Sequence, residues 1–218
     1  MIKNDYLEYE DLELLFIGGK MDYIEFLQKY DYEGSVVLLE GKREVSDTDK
    51  DKLFELGRSL VSRTEYIIFR SGNAAGADHY FSCGVVSVDK KQLQLIAPYS
   101  NHRSKASQDC EIISPDDLDL TAEKEIINQS KLNKKTKKLI DKYVAGERNK
   151  NTIKAAYIIR DTIKVLGTKS IGPASFAFFY DNLSNPMSGG TGHTMNICRV
   201  NNIPYIDQTI WLKWLENN

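Results

Sequence analysis

Two segments of the chain share one order: an apolar run rich in β-forming residues, a glycine-rich turn, and then a stretch with helical spacing. The first runs from residues 66–69 into the turn at 71–78, and the second from residues 174–180 into the turn at 188–194. Strands that are connected through helices lie parallel in a sheet. Because the carboxyl ends of parallel strands meet at one edge, the two turns are predicted to lie side by side.

A third turn and further elements extend the same alternation. Gly41, Lys42 and Arg43 follow an apolar strand that is predicted at residues 35–39. The other predicted elements are helices at residues 47–63, 78–88, 152–166 and 195–200, strands at 92–97 and 203–206, and a final amphipathic turn at 210–215. Apolar residues spaced three and four apart indicate the helices. The sequence therefore predicts an α/β fold with a Rossmann-like, doubly wound and mainly parallel sheet.

The length of 218 residues fits one domain, predicted to span residues 1–218. Residues 1–33 are predicted to be an N-terminal extension at the edge of the sheet, with a strand at 14–17 and a short helix at 21–30. Residues 101–150 are polar and rich in charge, and they are predicted to be a partly helical insertion.

A basic run inside this insertion has two interpretations. It consists of Lys131, Lys134, Lys135, Lys137 and Lys138. Acidic residues just upstream balance it, which favours a solvated helix face, and contact with phosphate is the alternative. The formal net charge of −2 and the isoelectric point of about 6.0 argue against strong binding of nucleic acid.

Cysteine usage and the absence of long apolar runs indicate the cellular compartment. Cys83, Cys110 and Cys198 have no CxxC or Cys/His ligand spacing, which indicates reduced thiols and neither a disulfide framework nor a metal site. The first residues lack the apolar core of a signal peptide, and no run is long enough to cross a membrane. We therefore expect a soluble, cytoplasmic protein with no membrane partner.

The turn at residues 188–194 carries the chemistry of an anion site. Three glycines within four residues let the backbone present N–H groups without a Cβ in the way, and the helix that follows adds the positive end of its dipole. Thr191, His193 and Thr194 add groups that donate or accept hydrogen bonds. A simple turn between a strand and a helix is the alternative interpretation, because glycine turns are common.

Taken in order, these motifs resemble the SLOG superfamily of Rossmann-like nucleotide-binding proteins, which includes the DNA-processing protein A and Lonely guy groups. Residues 41–43 are similar to the Gly-Ser-Arg that ends the family's first strand. Residues 71–78 resemble its Ser-Gly-x-Ala-x-Gly-x-Asp turn, and residues 189–194 resemble its Gly-Gly-x-Gly-Thr turn, with a strand similar to Gly-Ile-Pro-Val following at 203–206. Residues 160–167 are similar to a helix of phage- or plasmid-type members.

The resemblance implies that a nucleotide, or a ligand derived from one, lies across the strand ends with its phosphate on residues 189–194. Arg43 and Arg160 would supply positive charge, although Arg160 is alternatively a surface arginine. Asn73 or Asp78 would bond the ribose or the base, and a helix cap is the alternative role of Asp78. The nucleotide-binding candidates are Gly41, Lys42, Arg43, Ser71, Gly72, Asn73, Gly76, Asp78, Arg103, Arg160, Gly189, Gly190, Thr191, Gly192, His193 and Thr194. No other cofactor is indicated. The oligomeric state stays open, and a homodimer is one possibility because relatives often pair through their helices.

One departure from the family concerns catalysis. The phosphoribohydrolases of the superfamily place a glutamate where Asn196 stands, and an amide cannot accept a proton as a carboxylate does. Residues 98–106 are similar to those enzymes' His-x-Arg-Lys-Ala stretch, which makes Arg103 a candidate phosphate ligand. His102, His193 and Asp78 are the candidates for a replacement acid or base.

Three functions follow as hypotheses. The first is a sensor or carrier that binds a nucleotide-like ligand without turning it over, because the glycine turns are intact and the catalytic carboxylate is missing. The second is an N-glycosidase that acts on a nucleoside 5′-monophosphate. The third is a single-stranded DNA-binding protein that uses the lysine run, against which the acidic net charge argues.

Overall fold

The computed structural model describes residues 21–103 and 110–216, and six parallel strands form its sheet. The strands are β1 (Val36–Gly41), β2 (Ile68–Ser71), β3 (Leu93–Ile96), β4 (Glu111–Ile113), β5 (Phe176–Tyr180) and β6 (Tyr205–Asp207). Their order is β4-β3-β2-β1-β5-β6, and each neighbouring pair is parallel. The prediction of a Rossmann-like sheet is confirmed.

Eight α-helices connect and cover the strands within the described ranges. They are α1 (Tyr23–Tyr30), α2 (Asp47–Ser62), α3 (Ala77–Val86), α4 (Lys124–Ser130), α5 (Lys137–Val144), α6 (Ile153–Leu166), α7 (Gly189–Val200) and α8 (Gln208–Glu216). Short 3₁₀ turns lie at Lys90–Gln92 and Pro115–Asp117. Of the helices described, none has the length and apolar character that a membrane span requires.

Strand β5 shows why the sheet is covered on both faces. All five of its side chains are buried and apolar or aromatic. Phe178 packs into a core with α1, α2, α3 and α8, whereas the next residue, Phe179, packs into the core on the α7 side. Alternate side chains of a strand point to opposite faces, so a continuous apolar run is what a doubly covered parallel strand requires.

Strand β2 begins two residues later than the prediction of residues 66–69. Tyr66 is exposed, and its N–H donates to the Asp31 carboxylate at 2.8 Å, which also accepts from the N–H of Glu65. These bonds fix the entry to the strand outside the sheet. The ladder therefore starts with Ile68, opposite Val36.

The segment that we expected to be a polar insertion contributes to the sheet as well as to the helical layer. Strand β4 extends the sheet beside β3 and was not predicted, because it is three residues long and only partly buried. Helices α4 and α5 then pack on α6 through a core that includes Ile126, Ile140 and Ile159. The segment thus brings its own residues next to α6.

The N-terminal extension is described only from residue 21 onward, and the strand predicted at 14–17 lies outside the described residues. Its helix α1 packs on a face of the sheet, where the Phe26 ring lies 5.2 Å from Phe176 and 5.0 Å from Phe178 between centroids. This helix therefore closes one of the two cores.

The backbones of α2 and α3 approach closely at Gly57 of α2 and Gly84 of α3. A Cβ added at Gly84 would lie 2.1 Å from the Phe54 carbonyl oxygen. We expect Gly84→Ala to lower the free energy of unfolding in urea by about 1–3 kcal/mol, because overpacking outweighs the better helix propensity of alanine. Gly172→Ala is the control, since an added Cβ there meets nothing within 4 Å. A Gly84→Ala variant as stable as the wild type would contradict this packing.

Candidate functional site

A cleft of about 650 Å³ opens where the direction of strand addition reverses. The chain builds β2, β3 and β4 on one side of β1, and β5 and β6 on the other. The connections that leave the carboxyl ends of β1 and β5 therefore diverge, and a crevice forms between them. Such a switch point is where open α/β sheets bind their ligands.

Backbone hydrogen bonds bring the predicted turns together at this point. The Lys42 N–H donates to the Tyr180 carbonyl at 2.9 Å, and the Ala77 N–H donates to the Lys42 carbonyl at 3.2 Å. Arg160, on α6, donates from Nη1 to the Gly72 carbonyl at 2.9 Å. The prediction that separate turns converge at the edge of the sheet is confirmed.

Residues 189–194 are not a loop, as the sequence predicted, but the first turns of α7. Ser188 is the N-cap residue, and its side chain makes no capping hydrogen bond. Gly189 has φ +63, a conformation that favours glycine. Gly192 allows a close approach, because an added Cβ would lie 1.8 Å from the Met187 carbonyl oxygen. Packing therefore determines where this helix begins, despite the low helix propensity of glycine.

The residues of this first segment of α7 divide into two groups. Gly189 and Gly190 are exposed and line the cleft, and the N–H groups of the first helical turn have no partner within the helix itself. Gly192 and Thr194 are buried, and the Thr194 hydroxyl donates to Glu40 Oε1 at 2.9 Å. The start of α7 thus presents backbone donors to the cleft and uses its other face for packing.

The remaining glycine candidates serve close backbone packing. Gly41 ends β1, where an added Cβ would lie 2.5 Å from the Tyr180 carbonyl oxygen. Gly76 has φ +84, and its Cβ would lie 2.2 Å from the Arg43 carbonyl oxygen. Gly72 lies against buried charged side chains, and Ser71 is buried at the end of β2. From residues 71–78, only Ala74 and Asp78 line the cleft.

Five charged side chains, which we call the buried charge cluster, form the floor of the cleft and extend beneath it. They are Glu40, Asp78, Arg160, Asp161 and Lys164, each no more than 6% exposed. Lys164 Nζ lies 2.6 Å from Glu40 Oε2 and 3.0 Å from Asp161 Oδ1. Arg160 contacts Asp161 Oδ1 through Nε at 2.9 Å and Nη2 at 2.5 Å. Arg160 lines the cleft but is buried, so the alternative interpretation of a surface arginine is wrong.

The Asp78 carboxylate accepts hydrogen bonds from backbone N–H groups of two turns. Its Oδ1 accepts from the Gly41 N–H at 3.1 Å, and its Oδ2 accepts from the Ala74 N–H at 3.3 Å. Its side chain thus ties the first turn to the second, and these bonds support the structural alternative for this residue.

Sequence reasoning missed Glu40, Asp161 and Lys164. The signal for the last two was present in α6, where residues 157, 160, 161 and 164 share one helix face at spacings of three and four. Polar residues at that spacing beside an apolar stripe indicate a second, functional face. Glu40 gave no such signal, because a single charge at the end of an apolar strand is common.

The cluster holds one more carboxyl group than cations, and the pKa of Glu40 is shifted mainly by burial. Burial raises the pKa of Glu40 to about 7, against the opposing effect of Lys164 and with the support of Asp161 and Asp78. Burial also acts to raise the pKa of Asp161, but Arg160 and Lys164 together hold it below its ordinary value. Glu40 is therefore the group of the cluster that exchanges a proton near neutral pH.

The two histidine candidates occupy different places. His193 lines the cleft, with Nε2 3.2 Å from the Thr162 hydroxyl, and burial lowers its pKa. His102 is not among the residues that line the cleft. Its ring packs nearly perpendicular to Tyr99 and Tyr157, its carbonyl accepts from Asn73, and burial, followed by Arg160, lowers its pKa.

Other predicted residues lie outside the cleft. Arg103 and Asn73 line a smaller cavity of about 250 Å³ beside Cys83 and Cys110. Asn196 accepts a hydrogen bond from Arg199 on α7 and does not line the cleft. Residues 104–106 of the predicted catalytic stretch lie outside the described residues. Arg103 thus lies beside the turn at residues 71–78, in the smaller cavity, and not among the residues that line the cleft.

Basic side chains surround the mouth of the cleft. Lys42, Arg43 and Lys154 line it, and Arg43 and Lys154 are exposed. In the lysine run, Lys131 pairs with Asp141, and the other four lysines are exposed. Across residues 21–103 and 110–216, no group of three or more His, Cys, Asp or Glu side chains could hold a metal ion, and the three cysteines are free thiols.

Comparisons with known proteins give little beyond the fold. No protein-family model and no curated protein matches the sequence. The chain is similar to a solved structure of DNA processing protein A from Helicobacter pylori, described for its unique single-stranded DNA binding mode, with 11% identity and a TM-score of 0.44 over 80% of this chain and 65% of that chain. The protein thus spans less than two thirds of that neighbour's length. A likeness at this level carries no argument about what this chain binds.

The raised pKa of Glu40 gives a testable pH dependence of stability. The ordinary value is 4.5 and the folded value about 7, so the stabilisation from protonated Glu40 is complete below the unfolded pKa and is lost as the pH rises through the folded one. We expect the free energy of unfolding of the wild type, relative to Glu40→Gln, to fall by about 1–3 kcal/mol between about pH 5 and about pH 8. Urea denaturation across this range measures it.

His193 contributes a pH dependence of stability of the opposite sign. Its pKa in the folded protein is lowered from 6.5, so the stability that it contributes above pH 6.5 is lost as the pH falls through the folded pKa. Both proteins keep His193, so its effect cancels in the difference. A difference that stays flat, or that rises with pH, would show that Glu40 is ionised throughout.

Proposed function

We propose that the protein binds a nucleotide, or a ligand derived from one, in the cleft between β1 and β5, as a sensor or carrier. The observation that carries this proposal is the start of α7, where the exposed Gly189 and Gly190 open into the cleft without a side-chain cap. Backbone donors and the helix dipole together favour a phosphate at such an end.

The distribution of charge supports one orientation of the ligand. Lys42, Arg43 and Lys154 surround the mouth, whereas the carboxylates of Glu40 and Asp161 lie lower in the cleft with their paired cations. Carboxylate oxygens accept hydrogen bonds from hydroxyl groups. A phosphate therefore suits the end of the cleft at Gly190, and sugar hydroxyls suit the floor.

Of the candidate catalysts, His193 lines the cleft, with Nε2 3.2 Å from the Thr162 hydroxyl, and the placement of the others favours binding without turnover. Asn196 lies outside the cleft, His102 packs between tyrosines, and Asp78 is committed to two backbone N–H groups. Asn196 and His102 therefore lack access to a substrate in the cleft, and the Asp78 carboxylate is already engaged by the backbone.

Binding is tested by calorimetric titration with nucleoside mono- and diphosphates, NAD, ADP-ribose and cyclic nucleotides. At least one of these should bind, and Gly190→Glu should abolish its signal, because the new carboxylate places bulk and negative charge at the phosphate position. Gly190→Ala is the matched control: an added Cβ meets only Asp161 Oδ2, at 3.3 Å, so binding should weaken by less than about tenfold. Silence across the panel, or equal binding by Gly190→Glu, would refute the proposal.

Hydrolysis of an N-glycosidic bond is the second candidate, and Glu40 is the observation that favours it. A carboxyl group with a pKa of about 7 lines the cleft, and such a group suits a general acid at neutral pH. We nevertheless expect no free base above background when nucleoside 5′-monophosphates are incubated with the protein and separated by chromatography. Glu40 is 3% exposed, accepts a hydrogen bond from Thr194 and forms an ion pair with Lys164. Release of base that Glu40→Gln abolishes would establish the enzyme instead.

A further inference from the structure

Part of the lining of the cleft comes from α6 and lies outside the proposed phosphate position at Gly190. Tyr157 and Ile158 of α6 line this part of the cleft, together with Asn133 and Thr136 from the segment between α4 and α5. The segment that the sequence presented as a polar insertion thus supplies part of the binding surface. The same cleft is thus lined by an aromatic ring, an aliphatic side chain, an amide and a hydroxyl.

Surrounding side chains hold the Tyr157 ring in place. The rings of Tyr99 and His102 lie nearly perpendicular to it, with centroids 6.4 Å and 6.1 Å away. The Arg160 guanidinium lies 5.3 Å from its centroid, and that of Arg43 lies 5.9 Å away. Arg160 is fixed by its bonds in the buried charge cluster, whereas Arg43 is exposed. Arg43 can therefore move to cover a flat group placed on the ring, as arginine planes do with bases.

Asn133 and Thr136 present a donor beside an acceptor. Asn133 Oδ1 accepts from the Lys135 N–H at 3.0 Å, which orients the amide, and its Nδ2 has no partner within the described part of the chain. The Thr136 hydroxyl donates to the Asn133 carbonyl at 3.1 Å, which leaves its oxygen to accept. The edges of nucleobases also carry donors and acceptors side by side.

The spacing along α6 fits a sugar between Tyr157 and the phosphate position. Asp161 lies beside Gly190, because its Oδ2 is 3.3 Å from an added Cβ there. Tyr157 precedes Asp161 by four residues, which corresponds to about 6 Å along a helix that rises about 1.5 Å per residue. One ribose ring fits that interval.

We infer that the wall formed by Tyr157, Asn133 and Thr136 is a nucleobase subsite, so that the ligand of the cleft is a nucleoside 5′-phosphate and not a simple sugar phosphate. The inference rests on the proposed function, because it places the base relative to the phosphate position at Gly190. Tyr157 supplies the stacking surface, and Asn133 distinguishes one base edge from another.

The experiment compares ribose 5-phosphate with the four nucleoside 5′-monophosphates by calorimetric titration. At least one nucleotide should bind about tenfold or more tightly than ribose 5-phosphate, as expected from the stacking of a base on an aromatic ring. Tyr157→Ala should bring this ratio close to one and leave the affinity for ribose 5-phosphate within about threefold. Tyr157→Phe keeps the ring and should keep the ratio.

Two further variants make the result specific. Asn133 is exposed, so Asn133→Ala should fold normally and reduce the differences in affinity among the four bases. Tyr66→Ala is the control, since Tyr66 is an exposed tyrosine before β2, at the opposite edge of the sheet, and its loss should change nothing.

The outcomes separate the two proposals. Equal binding of ribose 5-phosphate and all four nucleotides overturns the nucleobase subsite and leaves the proposed function intact. Binding of none of the five overturns the nucleobase subsite, and the proposed function falls with it only if the diphosphates, NAD, ADP-ribose and cyclic nucleotides also fail to bind. If Tyr157→Ala fails to fold, Asn133→Ala decides, because unchanged relative affinities for the four bases would overturn the inference.

Discussion

The ion pairs of Lys164 with Glu40 and Asp161 are the interaction on which the rest of the site depends. Lys164 is fully buried, and an unpaired charge at such a position would cost several kcal/mol. Its two partners come from β1 and from α6 itself, and Thr194 joins Glu40 to α7. The same contacts that satisfy the charge therefore fix the end of β1 against α6 and the start of α7. These are the elements that form the cleft.

Local pattern predicted the sheet well, and it failed where tertiary contacts decide the structure. Long apolar runs such as Phe176–Tyr180 identify buried parallel strands, because each residue must suit a covered face. Strand β4 carries no such pattern, since it lies at the edge and needs only pairing with β3. The start of α7 was predicted as a loop because glycine disfavours helices. In the fold, the close approach of Gly192 to Met187 and the bond from Thr194 to Glu40 outweigh that preference.

The candidate site was predictable in outline but not in the role of each side chain. Glycine turns after apolar strands identify the edge of the sheet where the cleft lies, because the carboxyl ends of parallel strands, and so the turns that follow them, meet at one edge. What each polar residue does there depends on partners distant in sequence. Arg160 bonds the Gly72 carbonyl 88 residues away, and Asp78 accepts from the Gly41 N–H 37 residues away. No spacing rule within one segment predicts such contacts, so the hydrogen bonds by which these two residues hold the turns together could not be predicted from the sequence.

The positions of the charges also bear on how the cleft would accommodate the proposed phosphate close to buried carboxylates. Asp161 lies next to the start of α7, where its charge alone would oppose an anion. Arg160 and Lys164 both contact its Oδ1, however, and Glu40 takes up a proton near neutral pH. Proton uptake by Glu40 as the pH falls through about 7 further reduces the negative charge of the cluster. The field at Gly190 is then set by the α7 N-terminus and by Lys42, Arg43 and Lys154, all of which favour a negative group.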